Sequence, residues 1–375
     1  MACRVVSTFV CSGFYPGKNA CISKEGDVYK LDSNSFDVHL EKVPSLSNII
    51  SVCVGSSHMI CLDINGNVFT KGKNAYGQLG QGKNGVNIAA TKDILKVDIP
   101  VCKEISCGSD FNVCLTDDGY VYAFGKHNGD IGIPPNAENV DYSHFPQQID
   151  ILKDIEFIEC GTDHTFFKSI NNNIYCWGKG FQGQLGTGEQ IFVNIPIKND
   201  KWPNNIVDIK CGSMHTLVLT SDGEVYSSGW RSTFVSLTSS YPKKLPLSNI
   251  KRIASGDEHG LCINEDNDIY VFGNNEYSQL GLGEDLFEQE LKKTGKSNID
   301  YPLKHPLLSN IADISSGGLL TFVKTYDNEI YGFGNEADDF FITFIEWSTP
   351  TQVLQGYEDN WKFSNFKYKA KSARK

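Results

Sequence analysis

The sequence predicts an all-β fold, a seven-bladed β-propeller built from about seven repeats of 42–61 residues. Three observations predict it. A phrase recurs along the chain: Ile-x-x-Ile-x-Cys-Gly-x-x-His, an apolar stretch, Asp-Gly-x-Val-Tyr, then aromatic-Gly. Its anchor glycines are Gly13, Gly55, Gly108, Gly161, Gly212, Gly256 and Gly317, at spacings of 42, 53, 53, 51, 44 and 61 residues. Each copy reads as a β-hairpin, and no segment sustains an apolar period of 3.6.

The copy at Ile206 shows the elements in order. Ile206 to Cys211 leads to the anchor Gly212 and to His215. Thr216-Leu217-Val218-Leu219-Thr220 is apolar or β-branched and reads as a strand. Ser221-Asp222-Gly223 turns the chain, because Asp-Gly favours the positive φ of a tight hairpin. Glu224-Val225-Tyr226-Ser227 then alternates polar and apolar. The turn returns as Asn65-Gly66, Asp118-Gly119 and Glu25-Gly26, and in later copies Asn takes it, at Asn171 to Asn173, Asn267 and Asn328. A second phrase follows the hairpin, Gly-x-Asn-x-x-Gly-Gln-Leu-Gly, at Gly72 to Gly80, with variants at Gly178 to Gly186 and Gly273 to Gly281. A loop and usually a proline (Pro100, Pro146, Pro196, Pro242, Pro306, Pro350) lead to the next copy. The one helix candidate is 284–291, inside a loop.

The repeat makes residues 1–357 a single propeller domain and leaves 358–375 as a basic tail. From Lys362 to Lys375 there are six basic side chains and no acid, which suits a solvated tail, a nuclear-import signal or a segment for an acidic partner. The chain as a whole has net charge −11, which argues against broad contact with nucleic acid or an anionic membrane. No apolar run reaches membrane-spanning length, and the first residues lack a signal-peptide pattern, so an intracellular protein, cytoplasmic or nuclear, is expected. Twelve cysteines show no Cys-x-x-Cys, and Cys107, Cys160 and Cys211 share the slot before the anchor glycine. A slot repeated in successive blades is a packing slot, so the thiols are read as reduced.

His58, His164, His215 and His259 also share one slot. One per blade, they do not converge as metal ligands would. They read as polar pins, each bonding backbone within its own blade. Gly178-Lys179-Gly180-Phe181-Gln182-Gly183 matches the dinucleotide pattern but lacks its strand-to-helix setting. No nucleophile, phosphate loop or paired acid and base is marked, so no cofactor and no metal are expected. Trp230, in Gly229-Trp230-Arg231, falls outside the aromatic-Gly slot and suits a cover over the channel mouth or, with Arg231, an interface anchor.

Together the two phrases resemble the repeats of the regulator of chromosome condensation family, over about residues 5 to 355. The resemblance implies a seven-bladed propeller but not one activity. Family members include the exchange factor for the small GTPase Ran, domains of large ubiquitin ligases, a plant ultraviolet photoreceptor and bacterial enzyme inhibitors. Two details are similar to the exchange factor. Lys126-His127-Asn128-Gly129-Asp130-Ile131-Gly132 stands where Gly-Gln-Leu-Gly would be, and resembles the wedge that presses on the GTPase. Asp163 directly precedes the repeat histidine, and His259 lies in the repeat of a catalytically important histidine.

The resemblance therefore implies Asp163 and His259 as exchange residues, with Asn128, Gly129, Asp130, Ile131, Trp230 and Arg231 as partner contacts. The expected function is a monomeric protein-interaction module, a guanine-nucleotide exchange factor for a Ran-like GTPase. The alternative is a non-catalytic scaffold for a trafficking, cytoskeletal or ubiquitin-pathway partner. Ring closure is expected through pairing of the first strand, near Arg4–Val10, into the last blade, with Trp361–Tyr368 as the other source of a strand.

Overall fold

Seven four-stranded antiparallel sheets follow one another along the chain in a computed structural model that describes residues 9–10, 20–22, 26–32, 39–82, 90–126, 142–230, 239–327, 329–334 and 347–354. Six sheets are full-sized, with strands of five to eight residues; the first is reduced, with inner strands of two and three. Each sheet is a simple meander in chain order. The inner strands are Phe9–Val10, Ile49–Val54, Cys102–Cys107, Ile155–Cys160, Ile206–Cys211, Ile250–Ser255 and Ile311–Gly317; from Ile49–Val54 onward each packs against the next, and sheet 1 meets Ile49–Val54 through Ala20–Ile22. This is the expected β-propeller. One helix interrupts it, Glu284–Thr294, where the loop of sheet 6 carries the predicted helical stretch.

Burial explains the strand patterns. The second strand of a sheet is covered on both faces, so His58–Asp63, Phe111–Thr116 and His215–Thr220 are buried throughout. A run without alternation is what two-sided burial selects. The outer strand is largely exposed, and Pro146, Pro196 and Pro242 stand within outer strands, where a missing N–H leaves no partner strand unsatisfied. The apolar core is divided among the seams. Val113, Leu115 and Phe111 of sheet 3 pack with Ile155, Phe167 and Trp177 of sheet 4 in one cluster, and a comparable cluster fills each seam from sheets 1/2 to 6/7. No sheet has a core of its own, so each is stable only against its neighbours.

The ring closes differently from the expectation. Among the described residues Phe9–Val10 pairs with Ala20–Ile22 of its own sheet and the last sheet takes four strands from 311–354, while Arg4–Thr8 of the expected closing strand lie outside the described residues. Closure is packing of Phe9–Val10 against Ile311–Gly317, not strand exchange. The alternative strand, Trp361–Tyr368, lies outside the described residues.

The anchor glycines are fixed by close approach. A Cβ on Gly161 would lie 2.4 Å from the carbonyl oxygen of Gly212 and 2.4 Å from Cε1 of His164. Gly55 and Gly212 are hemmed in the same way by the next anchor glycine and their own histidine. Gly161→Ala is therefore expected to destabilise the fold by about 2 kcal/mol or more, as overpacking against backbone does. Urea unfolding should show a lower midpoint; an unchanged midpoint would refute the close-packing account.

Candidate partner-binding face

All the Gly-x-x-His turns lie at one end of the ring, because each inner strand runs towards its anchor glycine and each second strand runs away from it. The residue after the anchor glycine links each turn to the next. Ser56 N–H donates to Ser109 O at 2.7 Å, Ser109 N–H to Thr162 O at 2.9 Å and Thr162 N–H to Gly212 O at 3.3 Å. Ser213 N–H donates to Asp257 O and Asp257 N–H to Gly318 O, both at 2.9 Å. This backbone girdle frames the mouth of the axial channel.

The histidines reach across the seams, which corrects the within-blade reading. His164 Nε2 lies 3.0 Å from Thr216 Oγ1 in the following sheet, and Thr216 Oγ1 donates to the carbonyl of Gln184 at 2.8 Å. The hydroxyl has a single proton, so His164 must donate from Nε2. His259 repeats the arrangement with Thr321 Oγ1 and the carbonyl of Gln279, and also meets Ser316 Oγ at 2.7 Å. At the seam of sheets 2 and 3, His58 faces Asn112 Oδ1 at 2.9 Å and Asn112 Nδ2 donates to Gln78 O. The histidine and the Gly-Gln-Leu-Gly loop of one sheet thus grip a single side chain of the next. That is why the two phrases recur together. A histidine reaches outward because its own sheet already satisfies its backbone by strand pairing.

The seam of sheets 3 and 4 has no such latch. Phe111 replaces the histidine and meets Trp177 edge-on, with ring centroids 5.7 Å apart. At the seam of sheets 5 and 6, His215 bonds Ser255 Oγ at 2.9 Å, because Gly260 stands where a hydroxyl would be.

Asp163 occupies the turn at the unlatched seam and is partly exposed. Its Oδ2 pairs with Lys179 Nζ at 2.7 Å, and Ser109 Oγ of the preceding sheet donates to Oδ1 at 3.4 Å. A small cleft here is lined by Phe111, Lys126, Asp163, Trp177 and Phe192. Lys126 is the last residue before the wedge-like stretch; Asn128, Gly129, Asp130 and Ile131 lie outside the described residues, as does Arg231. Trp230 ends the third strand of sheet 5, half-buried, its N–H donating to Met214 O. The structure therefore places Asp163 on the face but puts His259 in a seam two sheets away, 1% exposed and committed to the latch. Sequence reading missed the gripped residues Asn112, Thr216 and Thr321, all in the slot after the histidine position.

The axial channel, of about 270 Å³, is charged. Lys210 lies 3.0 Å from Asp208 and 3.6 Å from Glu159 of the preceding sheet; Arg252 pairs with Asp313 across the seam of sheets 6 and 7 at 2.6 Å. Burial pushes Glu159 up to about 7, against the pull of Lys210. Burial works against the charged form of Lys210, yet Asp208 and Glu159 outweigh it and hold its pKa above the usual lysine range. At the mouth, burial and then the neighbouring Glu258 raise Asp257 to about 7.

A ring of sheets latched by histidine across its seams is a repeat propeller that presents its loops at two ends. The chain belongs to the regulator of chromosome condensation (RCC1) repeat family, whose repeat matches residues 65–115, 118–167, 171–219 and 266–323. It is thus an RCC1-type module for protein interaction. It is 28% identical over 330 residues to the mouse serine/threonine-protein kinase Nek9, covering 79% of this chain and 32% of the kinase. The chain spans about a third of that relative's length. It is 25% identical over 342 residues to the regulator of chromosome condensation of Xenopus laevis, covering 83% and 77% of the two chains. Its fold matches Prp20p of Saccharomyces cerevisiae with a TM-score of 0.67 and 21% identity, over 82% and 77% of the chains. Among the described residues no helix is long and apolar enough to cross a membrane.

The latches make stability depend on pH. Burial lowers His164 and His259 to about 3 and His215 to about 4. The unfolded chain protonates these side chains near its ordinary value of about 6.5, while the fold resists. Their contribution is complete above that value and is lost as pH falls from about 6.5 towards 3–4. Glu159 and Asp257 act oppositely: their raised values favour the fold at low pH and lose that advantage as pH rises through the ordinary carboxylate range to about 7. Burial also lowers His305 to about 4, so four histidines oppose the two acids and the urea midpoint is expected to be lower at pH 5.0 than at pH 7.5. His164→Gln keeps a donor without titrating and should shrink that difference; an identical difference would rule out His164 as a source.

Proposed function

We propose that the chain binds a small GTPase of the Ran type through the face of the anchor-glycine turns and speeds release of its guanine nucleotide. Exchange needs no covalent chemistry. A factor that binds the nucleotide-free GTPase more tightly than the loaded one drives nucleotide out by linkage. The observation that carries this reading is Asp163. It precedes the repeat histidine as in the exchange factor, stands partly exposed at the mouth, and adjoins Lys126, from which Asn128 to Ile131 continue. Its ion pair with Lys179 holds the carboxylate in place, and a GTPase lysine can compete for it. Trp230, tied to Met214 of the neighbouring turn, offers a second contact, and Arg231 follows it in the sequence. His259 acts by positioning: its latch holds the turn that carries Asp257 and Glu258. Prp20p itself is described with binding to Gsp1p and histones.

A second reading, a non-catalytic scaffold, is supported by the kinase Nek9, in which the matched part is 32% of a longer chain. Release of a fluorescent guanine nucleotide from Ran and related GTPases separates the two. Exchange predicts fast release that Asp163→Ala slows about tenfold or more, the loss of one charged contact of about 1.4 kcal/mol or greater. No acceleration of any GTPase tested would leave the scaffold reading.

A further inference from the structure

The opposite end of the ring carries a surface that the GTPase reading does not use. The hairpin turns between second and third strands lie there, with the connections from each outer strand to the next sheet. Most of the large apolar side chains that are more than half exposed fall on this end, among them Ile64 (68%), Ile170 (60%), Leu307 (63%) and Tyr326 (56%). Single exposed apolar residues are ordinary; their concentration on one face is not. Carboxylates stand between them. Glu265 and Asp266 form the exposed hairpin tip of sheet 6 and Asp327 that of sheet 7, either side of Leu307 and Tyr326. Asp327 accepts from the amide of Asn310, a neutral donor that leaves its charge uncancelled. The nearby Lys304 is already paired with Asp268, and Lys251 bonds Asn267 and lies over the Tyr326 ring, so the four acids Glu265, Asp266, Asp268 and Asp327 still outnumber the two lysines. This sector is acidic and apolar at once.

The chain itself supplies a complement. The outer strand of sheet 7, Trp347–Leu354, runs towards this end, and Leu354 pairs with Ile330 beside the sheet 7 hairpin. The chain therefore leaves the last sheet at the acidic face. Six residues later comes Trp361-Lys362-Phe363, followed by Phe366-Lys367-Tyr368-Lys369 and the rest of a segment with six basic side chains and no acid. Residues 355–360 can span up to about 20 Å. That exceeds the width of one four-stranded sheet, about 15 Å. The segment alternates aromatic and basic side chains, as the surface alternates apolar and acidic ones.

We infer that segment 361–375 docks in cis on this face, over Leu307, Tyr326, Glu265, Asp266 and Asp327. The lysines meet the carboxylates, and the aromatics cover the exposed apolar side chains. Phosphate-bearing surfaces are repelled by the same carboxylates.

Zero-length carbodiimide cross-linking of the full chain, read by mass spectrometry of the monomer, tests this. The expected result is cross-links from Lys362, Lys367 or Lys369 to Glu265, Asp266 or Asp327. Their yield should fall about fivefold or more when salt is raised from about 0.05 to 0.5 M. A synthetic peptide of residues 361–375 added in excess should suppress them in the wild type. It should bind Glu265→Gln/Asp266→Asn/Asp327→Asn at least about tenfold more weakly than the wild type, since three charged contacts are gone. Cross-links only between copies, links to Asp110, Asp163 or Glu258 at the other end, or equal peptide binding by the triple variant would each overturn the inference.

Discussion

The fold depends on one grip repeated around the ring. A histidine from one sheet and a glutamine carbonyl from its loop hold the same hydroxyl or amide of the next sheet. The grip needs the anchor glycine, since any side chain there would collide with the histidine ring and with the neighbouring turn. It needs the Gly-Gln-Leu-Gly loop, because the loop presents the carbonyl. It needs neutral imidazole, because the gripped oxygen accepts and a second ring proton would have no acceptor inside the seam. Hydrophobic burial supplies most of the attraction between sheets, and the grip sets their register.

That division of labour explains how the seams differ. Where the latch is complete, the apolar cluster and the polar grip act on the same pair of sheets. At the seam of sheets 3 and 4, the Phe111–Trp177 contact replaces the grip with aromatic packing, which tolerates small shifts better than a hydrogen bond of fixed length. Charged pairs between inner strands tie sheet 4 to sheet 5, in the axial channel, and sheet 6 to sheet 7. These pairs are partly exposed, so each adds little alone. In the Glu159–Lys210 pair the more evident effect is on protonation, since burial raises Glu159 and the two carboxylates raise Lys210.

Much of this was legible in the sequence. The repeat marked the propeller, Asp-Gly and Asn turns marked the hairpins, and the shared cysteine slot marked seam packing. The cysteines among the described residues are free thiols, consistent with that slot. The direction of the histidine bond was not legible, because its partner lies 52 to 62 residues away and nothing local distinguishes a bond within a sheet from one across a seam. Ring closure was misjudged for the same reason: it is decided by which distant edges remain open. Asp163 was found by resemblance to an exchange factor, and its geometry at the unlatched seam was invisible until the sheets were assembled. The positive φ of Asn48, Asn249 and Asn310 did leave a signal, an Asn-Ile pair opening successive inner strands, that the hairpin pattern overshadowed.

The missing latch has a consequence for how such a chain can diversify. In sheets 2, 4 and 6 the loop after the third strand is tied to its neighbour, and changing it loosens a seam. The third copy is released from that duty: Phe111 makes no demand for a glutamine carbonyl, and the loop there no longer reads Gly-Gln-Leu-Gly. Substitutions, insertions and changes of length can accumulate in that copy without opening the ring. A repeat that holds nothing in place is the one free to acquire a new surface.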